Sequence, residues 1–330
     1  MNRNRAVRYV AHFAAFAFLC ACTFAQAAAW SPEQNVEIIV PTSPGSGSDS
    51  TARLIQKLLR SARLLDGSST VVNKPGGGGA VGLAYLTQHA GSGHHLFVTS
   101  PSLLTNQIVG RATIGYADLT PLAQLGTASV AFTVRADSPL RSGKDLAQKL
   151  HNDPAALTFA LANALGNHNH IAIAELARAV GIDPRKAKVV VFNSSGEVVT
   201  SLLGGHTDVI ASPVSSIVEH VKAGRVRVLG VCAERRLGGV LASVPTLSEQ
   251  GYPVVAANWR SIVGPQGMTP AQVEYWDRVF ARIAAEDEWK REIAAAVEED
   301  TYLDSAGTRR YMEQQYRALT GILRALGLAK

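Results

Sequence analysis

The sequence predicts an α/β protein of two lobes, each a mostly parallel sheet flanked by helices, with a cleft between the lobes. Three observations predict it. Short runs rich in Val and Ile alternate with segments of helical periodicity, and strand, helix, strand order gives parallel pairing under a helical cover. The chain has 330 residues, 47% of them apolar, which is more than one core usually serves. After Gly267 the sequence reads as almost all helix, placed to return over the first lobe.

The first 29 residues stand apart. Arg3, Arg5 and Arg8 precede an apolar run from Val10 to Phe24, which ends in Ala25-Gln26-Ala27-Ala28-Ala29. That is the layout of a cleavable signal peptide, and about 15 apolar residues fall short of the ~20 that cross a bilayer. The mature chain is expected to start near Trp30, outside the cytoplasm. Leu19-Cys20-Ala21-Cys22 loosely resembles a lipoprotein processing box that would anchor the chain through Cys22, but the alanine stretch is the more regular site. Loss of the segment lowers the formal net charge from +6 to +3 and leaves Cys232 as the last of three cysteines. An internal disulfide is then impossible, so the core alone must hold the fold.

The first lobe opens with a strand over Val36 to Val40, a Gly/Ser loop and a helix over Thr51 to Leu59. A strand at Thr70 to Val72, a glycine loop, a helix from Ala80 and a strand at Leu96 to Thr99 follow. The second repeats the order: strand Leu157 to Leu161, helix Ile171 to Val180 stopped by Gly181, strand Val189 to Phe192, helix Glu197 to Leu203 stopped by Gly204-Gly205. Thr269 as N-cap, Pro270 at the first helical position and Gln272 as capping-box partner open the helical tail. The expected division is 30–130 with 254–330 as lobe one and 131–253 as lobe two. Crossing segments near Gly126 to Val134 and Val254 to Trp259 are the candidate hinges.

Several chemistries are disfavoured. No segment clusters Lys and Arg with aromatics, which speaks against nucleic acid. Gly77, Gly79 and Gly82 match a dinucleotide fingerprint, but Pro75 interrupts the turn and no acidic residue stands near position 100 for a ribose. His94-His95 and the His168/His170 pair lack a cysteine or carboxylate at metal-ligand spacing, and no GxSxG elbow is present. No cofactor and no metal are expected. Asp49 has the chemistry of a general base, yet an acid in a first helical turn is equally explained by the helix dipole.

Three helix starts share one composition: Ser43-Pro44-Gly45-Ser46-Gly47-Ser48-Asp49-Ser50, Asn163-Ala164-Leu165-Gly166-Asn167-His168-Asn169-His170, and Asn193-Ser194-Ser195-Gly196. Each offers backbone N–H donors at the positive end of a helix, and in a parallel sheet each lies at the carboxyl edge, where ligands bind. Thr99-Ser100-Pro101-Ser102 adds hydroxyls there. Micromolar affinity needs about 8 kcal/mol, and hydrogen bonds to a charged group give about 1.5–3 kcal/mol each, so five or six neutral donors would suffice for a small organic anion.

The stretches VEIIVPTSPGSGSDSTARLIQ (Val36 to Gln56), VVNKPGGGGAVGLAYL (Val71 to Leu86), LLGGHTDV (Leu202 to Val209), VKAGRVRVLGV (Val221 to Val231) and VPTLSEQGYPVVAANWR (Val244 to Arg260) resemble the solute-binding proteins of tripartite tricarboxylate transporters, the Bug family. The resemblance implies a two-lobed periplasmic binding protein of type II. It would close on a carboxylate, hold it mainly through backbone groups, hydroxyls and water, and deliver it to membrane permease subunits. By position, the family's pocket loops fall on Pro44, Gly45, Ser46, Gly47, Ser48 and Asp49; on Ser100 to Ser102; on Ala164, Gly166 and Asn167 with His170; on Ser194, Ser195 and Gly196; and on Ser212. Ser46 and Ser48 stand where smaller residues are commoner, and His168-Asn169 is a further departure. The added donors, with the NWR form of the return segment, favour a tricarboxylate such as citrate. Arg260 is the one cation placed near the cleft, a structural salt bridge being its other reading. Presentation of the ligand to a membrane sensor, or turnover of a carboxylate by Asp49 or His170, are the rival functions.

Overall fold

The structure is a computed structural model describing residues 30–330 except Asn163 and Asn193. The expected signal peptide with Cys22 lies outside the described residues, as do those two asparagines of the predicted loops.

β1 (Val36–Val40) is almost wholly buried, and it pairs in parallel with β2 (Ser69–Asn73) and β3 (His95–Thr99). α1 (Gly47–Ser61) and α2 (Ala80–Thr87) make the two crossovers. A second parallel set joins β5 (Thr158–Ala162) to β6 (Lys188–Phe192) and β7 (Val209–Pro213), with α5 (His168–Ala179) and α6 (Ser195–Leu203) as crossovers. Between the sets runs β4 (Thr120–Arg135), 16 residues long. Its first half pairs antiparallel with β9 (Ala257–Gly264) and β10 (Glu299–Leu303), its second with β7 and β8 (Val226–Val231). The sheet order is β2-β1-β3-β9-β4-β7-β5-β6. Antiparallel crossing strands thus flank the parallel pairs, a feature that the alternation of strand and helix does not announce.

Two readings need correction. The tail is not helix throughout, because β10 interrupts it between α9 (Asp287–Ala295) and α10 (Ser305–Ala325). Its Glu299 and Asp300 hide the strand, which is held by its edge position on β4 and by Thr301, whose hydroxyl bonds Gln124 and Thr127. The helices also begin earlier than their apolar periodicity does: α1 at Gly47, α5 at His168, α6 at Ser195. Periodicity marks only the buried face, whereas a polar first turn is set by the cap. α8 (Pro270–Ala285) does open with the Thr269 and Gln272 capping box.

The residues of α5 divide between two cores. Ala172, Ile173, Leu176 and Ala177 pack with Phe132 and Phe159, while Ile171 and Ala174 join Trp259, Met312 and Leu323. α5 therefore ties the second parallel set to α10, and burying a side chain such as Ile171 contributes about 1.5–3 kcal/mol.

The glycine loop before α2 is a backbone requirement. Gly76, Gly77, Gly78 and Gly79 all have positive φ, which glycine alone adopts freely. Gly82 serves packing: a Cβ there would stand 2.9 Å from Phe97 Cε2. Gly82→Val is accordingly expected to lower stability by about 1–3 kcal/mol, seen as a lower urea midpoint with an unchanged slope.

Candidate functional site at the carboxyl edges

Strand register decides what the loops share. Val40 lies opposite Asn73, Ile39 opposite Phe97, and Thr99 opposite Ser261. The loop through Pro44 to Asp49, the Ser100–Ser102 segment and Arg260, next to Ser261 on β9, therefore leave one edge together. In the other set Ala162 is opposite Phe192 and Ala160 opposite Ile210. That register puts Ala164–His170, Ser194–Gly196 and Ser212 on a common edge as well.

Each start is built by a side-chain cap. Ser46 Oγ accepts from Asp49 N–H, Asn167 Oδ1 accepts from Asn169 and His170 N–H, both at 3.1 Å, and Ser194 Oγ accepts from Glu197 N–H. Asn167 Nδ2 also donates to the Ala162 carbonyl at 2.7 Å, tying the second loop to its strand. Gly45 and Gly166, with φ of +81° and +84°, turn the chain into α1 and α5. Pro44, Gly45, Gly47, Ser194 and Gly196 are exposed, while Ser46, Ser48, Ser100, Ser102, Ala164 and Ser195 are half-buried. The Ser100 carbonyl accepts from Leu103 N–H, opening α3 (Ser102–Ile108).

Asp49 is occupied by the protein itself. Its carboxylate accepts from Gly45 N–H, Arg53 Nε and Asn73 Nδ2, each at 2.9 Å. Burial pushes the carboxyl up, but the hydrogen bonds from Arg53, Gly45 and Asn73 outweigh it and hold the group at about 2. So engaged and so acidic, Asp49 clamps the loop and is unsuited to be a base. His170 acts similarly, its Nδ1 accepting from Gly166 N–H at 2.9 Å. Burial brings it down to about 4, so it is neutral at pH 7.

Other polar atoms are buried without a partner: Ser212 Oγ, Asn169 Oδ1, both ring nitrogens of His168, Asn258 Oδ1 and Arg260 Nε. Arg260 is 8% exposed. Its Nη1 donates to the carbonyls of Asn258 and Trp259 at 3.2 and 3.5 Å, and a Cβ on Gly47 would stand 2.9 Å from its Nη2. Burial, then the positive charge of Arg260, brings His168 down to about 3. No salt bridge to Arg260 is present among the described residues, which removes that reading. Asn258 carried no periodic or compositional signal; a buried strand reading Asn-Trp-Arg-Ser was the one available clue.

Among the described residues no group of three or more His, Cys, Asp or Glu is placed to hold a metal ion, and no helix is long and apolar enough to cross a membrane. Cys232 is free and buried, and burial pushes its thiol far up. A cavity of about 440 Å³ lies against β4, β10 and α10, lined by Gln124, Thr127, Glu299 and Tyr311 among others. None of the predicted loops reaches it, so it is not the site described here.

Residues 52–328 match the family model described as the tripartite tricarboxylate transporter family receptor, TctC. The chain belongs to this family. It is 28% identical over 277 residues to protein BugT of Bordetella pertussis, covering 82% of this chain and 81% of BugT. Among solved structures, a TctC solute-binding protein from Polaromonas superposes with a TM-score of 0.72 at 24% identity, covering 89% of this chain and 99% of that one. MatC from Rhodopseudomonas palustris with bound malate gives 0.73 at 20% identity, covering 88% and 99%. The R. palustris protein Rpa4515 with adipate gives 0.78 at 23%, covering 90% and 99%. The fold is thus that of the TctC and Bug binding proteins, and TctC members are receptors, not enzymes.

The acid response of this TctC receptor follows from its buried groups. Asp49, His168 and His170 all titrate lower when folded than their ordinary values of 3.8 and 6.5, so the unfolded chain binds more protons and acid favours unfolding. The melting temperature should fall as pH drops from 7 to 4 through the histidines, and further below pH 4 through Asp49. Asp49→Asn should cost about 2 kcal/mol at pH 7 and flatten the lower limb, as followed by circular dichroism.

Proposed function

We propose that this protein is a periplasmic receptor that captures a small di- or tricarboxylate and delivers it to the membrane permease subunits of a tripartite transporter. Family membership supports the transporter, and relatives with malate and adipate support the ligand class. The observation that carries the reading is the pairing of capped helix starts with buried, unpartnered polar atoms at the carboxyl edges. Ser212 Oγ and the His168 ring keep donors that the protein leaves unused, while Asn169 Oδ1 is an unused acceptor. A carboxylate at helix N-termini would take the donors, and a hydroxyl or bridging water the acceptor.

The ligand-binding residues of this reading are those of the loops 44–49, 100–102, 164–170 and 194–196, together with Ser212. Within that set Asp49, Asn167 and His170 shape the loops, while backbone N–H groups and the unpartnered side chains face the ligand. The lobes are 30–130 with 254–330, and 131–253. β4 and the segment leading into β9 serve as hinges, and the ligand stabilises the closed form by bridging the lobes. Residues 1–29 direct export and are removed. A tricarboxylate such as citrate is the favoured cargo, because Ser48 and His168-Asn169 add donors; Ser46 adds none, its hydroxyl being engaged with Thr42 Oγ1 as well as with the Asp49 N–H.

Titration calorimetry of residues 30–330, unfolded and refolded to strip carried-over ligand, tests this reading against citrate, malate, adipate, acidic amino acids and nicotinate. One-to-one binding of a carboxylate, recovered chemically unchanged, is expected. Failure of every compound to bind would withdraw the carboxylate assignment, and recovery of an altered compound would withdraw the receptor reading.

A further inference from the structure

The first turn of α1 and the guanidinium of Arg260 are an ill-matched pair. A helix N-terminus carries a partial positive charge, which favours anions and disfavours cations. Yet Nη2 of Arg260 lies against Gly47, the first residue of this 15-residue helix. Proteins place a buried cation where an anion compensates it, and here none is bonded. Asp49, the acid in that turn, faces Gly45, Arg53 and Asn73 instead. Glu298 influences Arg260 electrostatically but forms no ion pair with it. The residue is 8% exposed, with Nε unpartnered and only Nη1 engaged by backbone carbonyls. His168, at the first position of α5, brings two further unpartnered ring nitrogens into the electrostatic reach of the same guanidinium.

Two positive helix starts thus meet a cation that has no ion-pair partner within 4 Å among the described residues, Glu298 acting on it only at longer range. We propose that Arg260 is a ligand-binding residue whose Nη2 and Nε take one carboxylate of the ligand against the first turn of α1, with His168 completing its hydrogen bonds. The inference rests on the carboxylate-receptor reading and deepens it. One end of the ligand is held by a true ion pair, and the other by neutral donors. The position of Arg260 on β9, opposite Gly126 of β4, places that ion pair beside the crossing strands, so a charged end must reach the back of the cleft. Gly47 belongs to the same device, since any side chain there meets the guanidinium.

The test measures ligand-free melting temperature and affinity for the tightest binder among citrate, malate and adipate in the wild type, Arg260→Gln and Gly47→Ala. A charge-assisted hydrogen bond corresponds to about 10- to 100-fold in affinity, and that loss is expected for Arg260→Gln. Glutamine keeps a donor for the Asn258 and Trp259 carbonyls and loses only a long-range interaction with Glu298, so the ligand-free melting temperature should stay close to that of the wild type. Gly47→Ala, which crowds Nη2 without touching the core, should weaken binding several-fold and still fold. Wild-type affinity in Arg260→Gln, with a lowered ligand-free melting temperature, would make the arginine structural and overturn the inference while leaving the receptor reading intact. Should Arg260→Gln not fold, Arg260→Met, of similar length and without charge, takes its place: weakened binding supports the inference and unchanged binding overturns it. A wild type that binds none of the three acids removes the carboxylate reading itself, and the inference with it.

Discussion

Both halves of the sheet depend on β4. A strand buried along nearly its whole length must satisfy every backbone donor and acceptor by pairing, and β4 does so with four partners, β7, β8, β9 and β10. That one strand fixes the register on both sides. It sets Arg260 opposite Gly126 and Ser212 opposite Ala131, and so determines which polar side chains arrive at the carboxyl edges. Gly126 belongs to this constraint, because a Cβ there would come within 3.1 Å of Ile293 Cδ1.

On that frame the site is assembled by repeating one local device. Ser46, Asn167 and Ser194 each satisfy first-turn N–H groups with their own side chains, which leaves neighbouring donors aimed out of the helix. Asp49 and His170 then lock their loops from inside. The residues with the most reactive chemistry are therefore the supports, and the site groups left unbonded are two amide oxygens, a hydroxyl, an imidazole and one guanidinium. The hydroxyl, the imidazole N–H and the guanidinium suit recognition of an anion more than proton transfer.

Much of this was legible in the sequence. Val36 to Val40, Val189 to Phe192 and the Thr269-Pro270-Gln272 start are local signals, set by burial for the first, by β-branched composition for the second, which is largely exposed, and by capping chemistry for the third, and they stand in the structure with small shifts. The glycine run at 76–79 was legible as a loop, but only its four positive φ values explain why glycine is needed. β10 was not legible, since an edge strand carrying Glu299 and Asp300 draws its stability from β4 rather than from its own composition. The loops of the candidate site could be read from their Gly, Ser and Asn content. The roles within them could not: whether Asp49 faces Arg53 or a ligand, and whether Arg260 has a partner, depend on residues tens or hundreds of positions away.

The split packing of α5 bears on cooperativity. Ile171 and Ala174 lie in the core of α10 and Trp259, while their neighbours on the helix lie in the core of Phe132 and Phe159. Drawing the two apart would return Ile171 and its surroundings to water at a cost of a few kcal/mol. One helix thus belongs to two cores at once, so neither can loosen without unsettling the other, and the chain is built to melt as a unit.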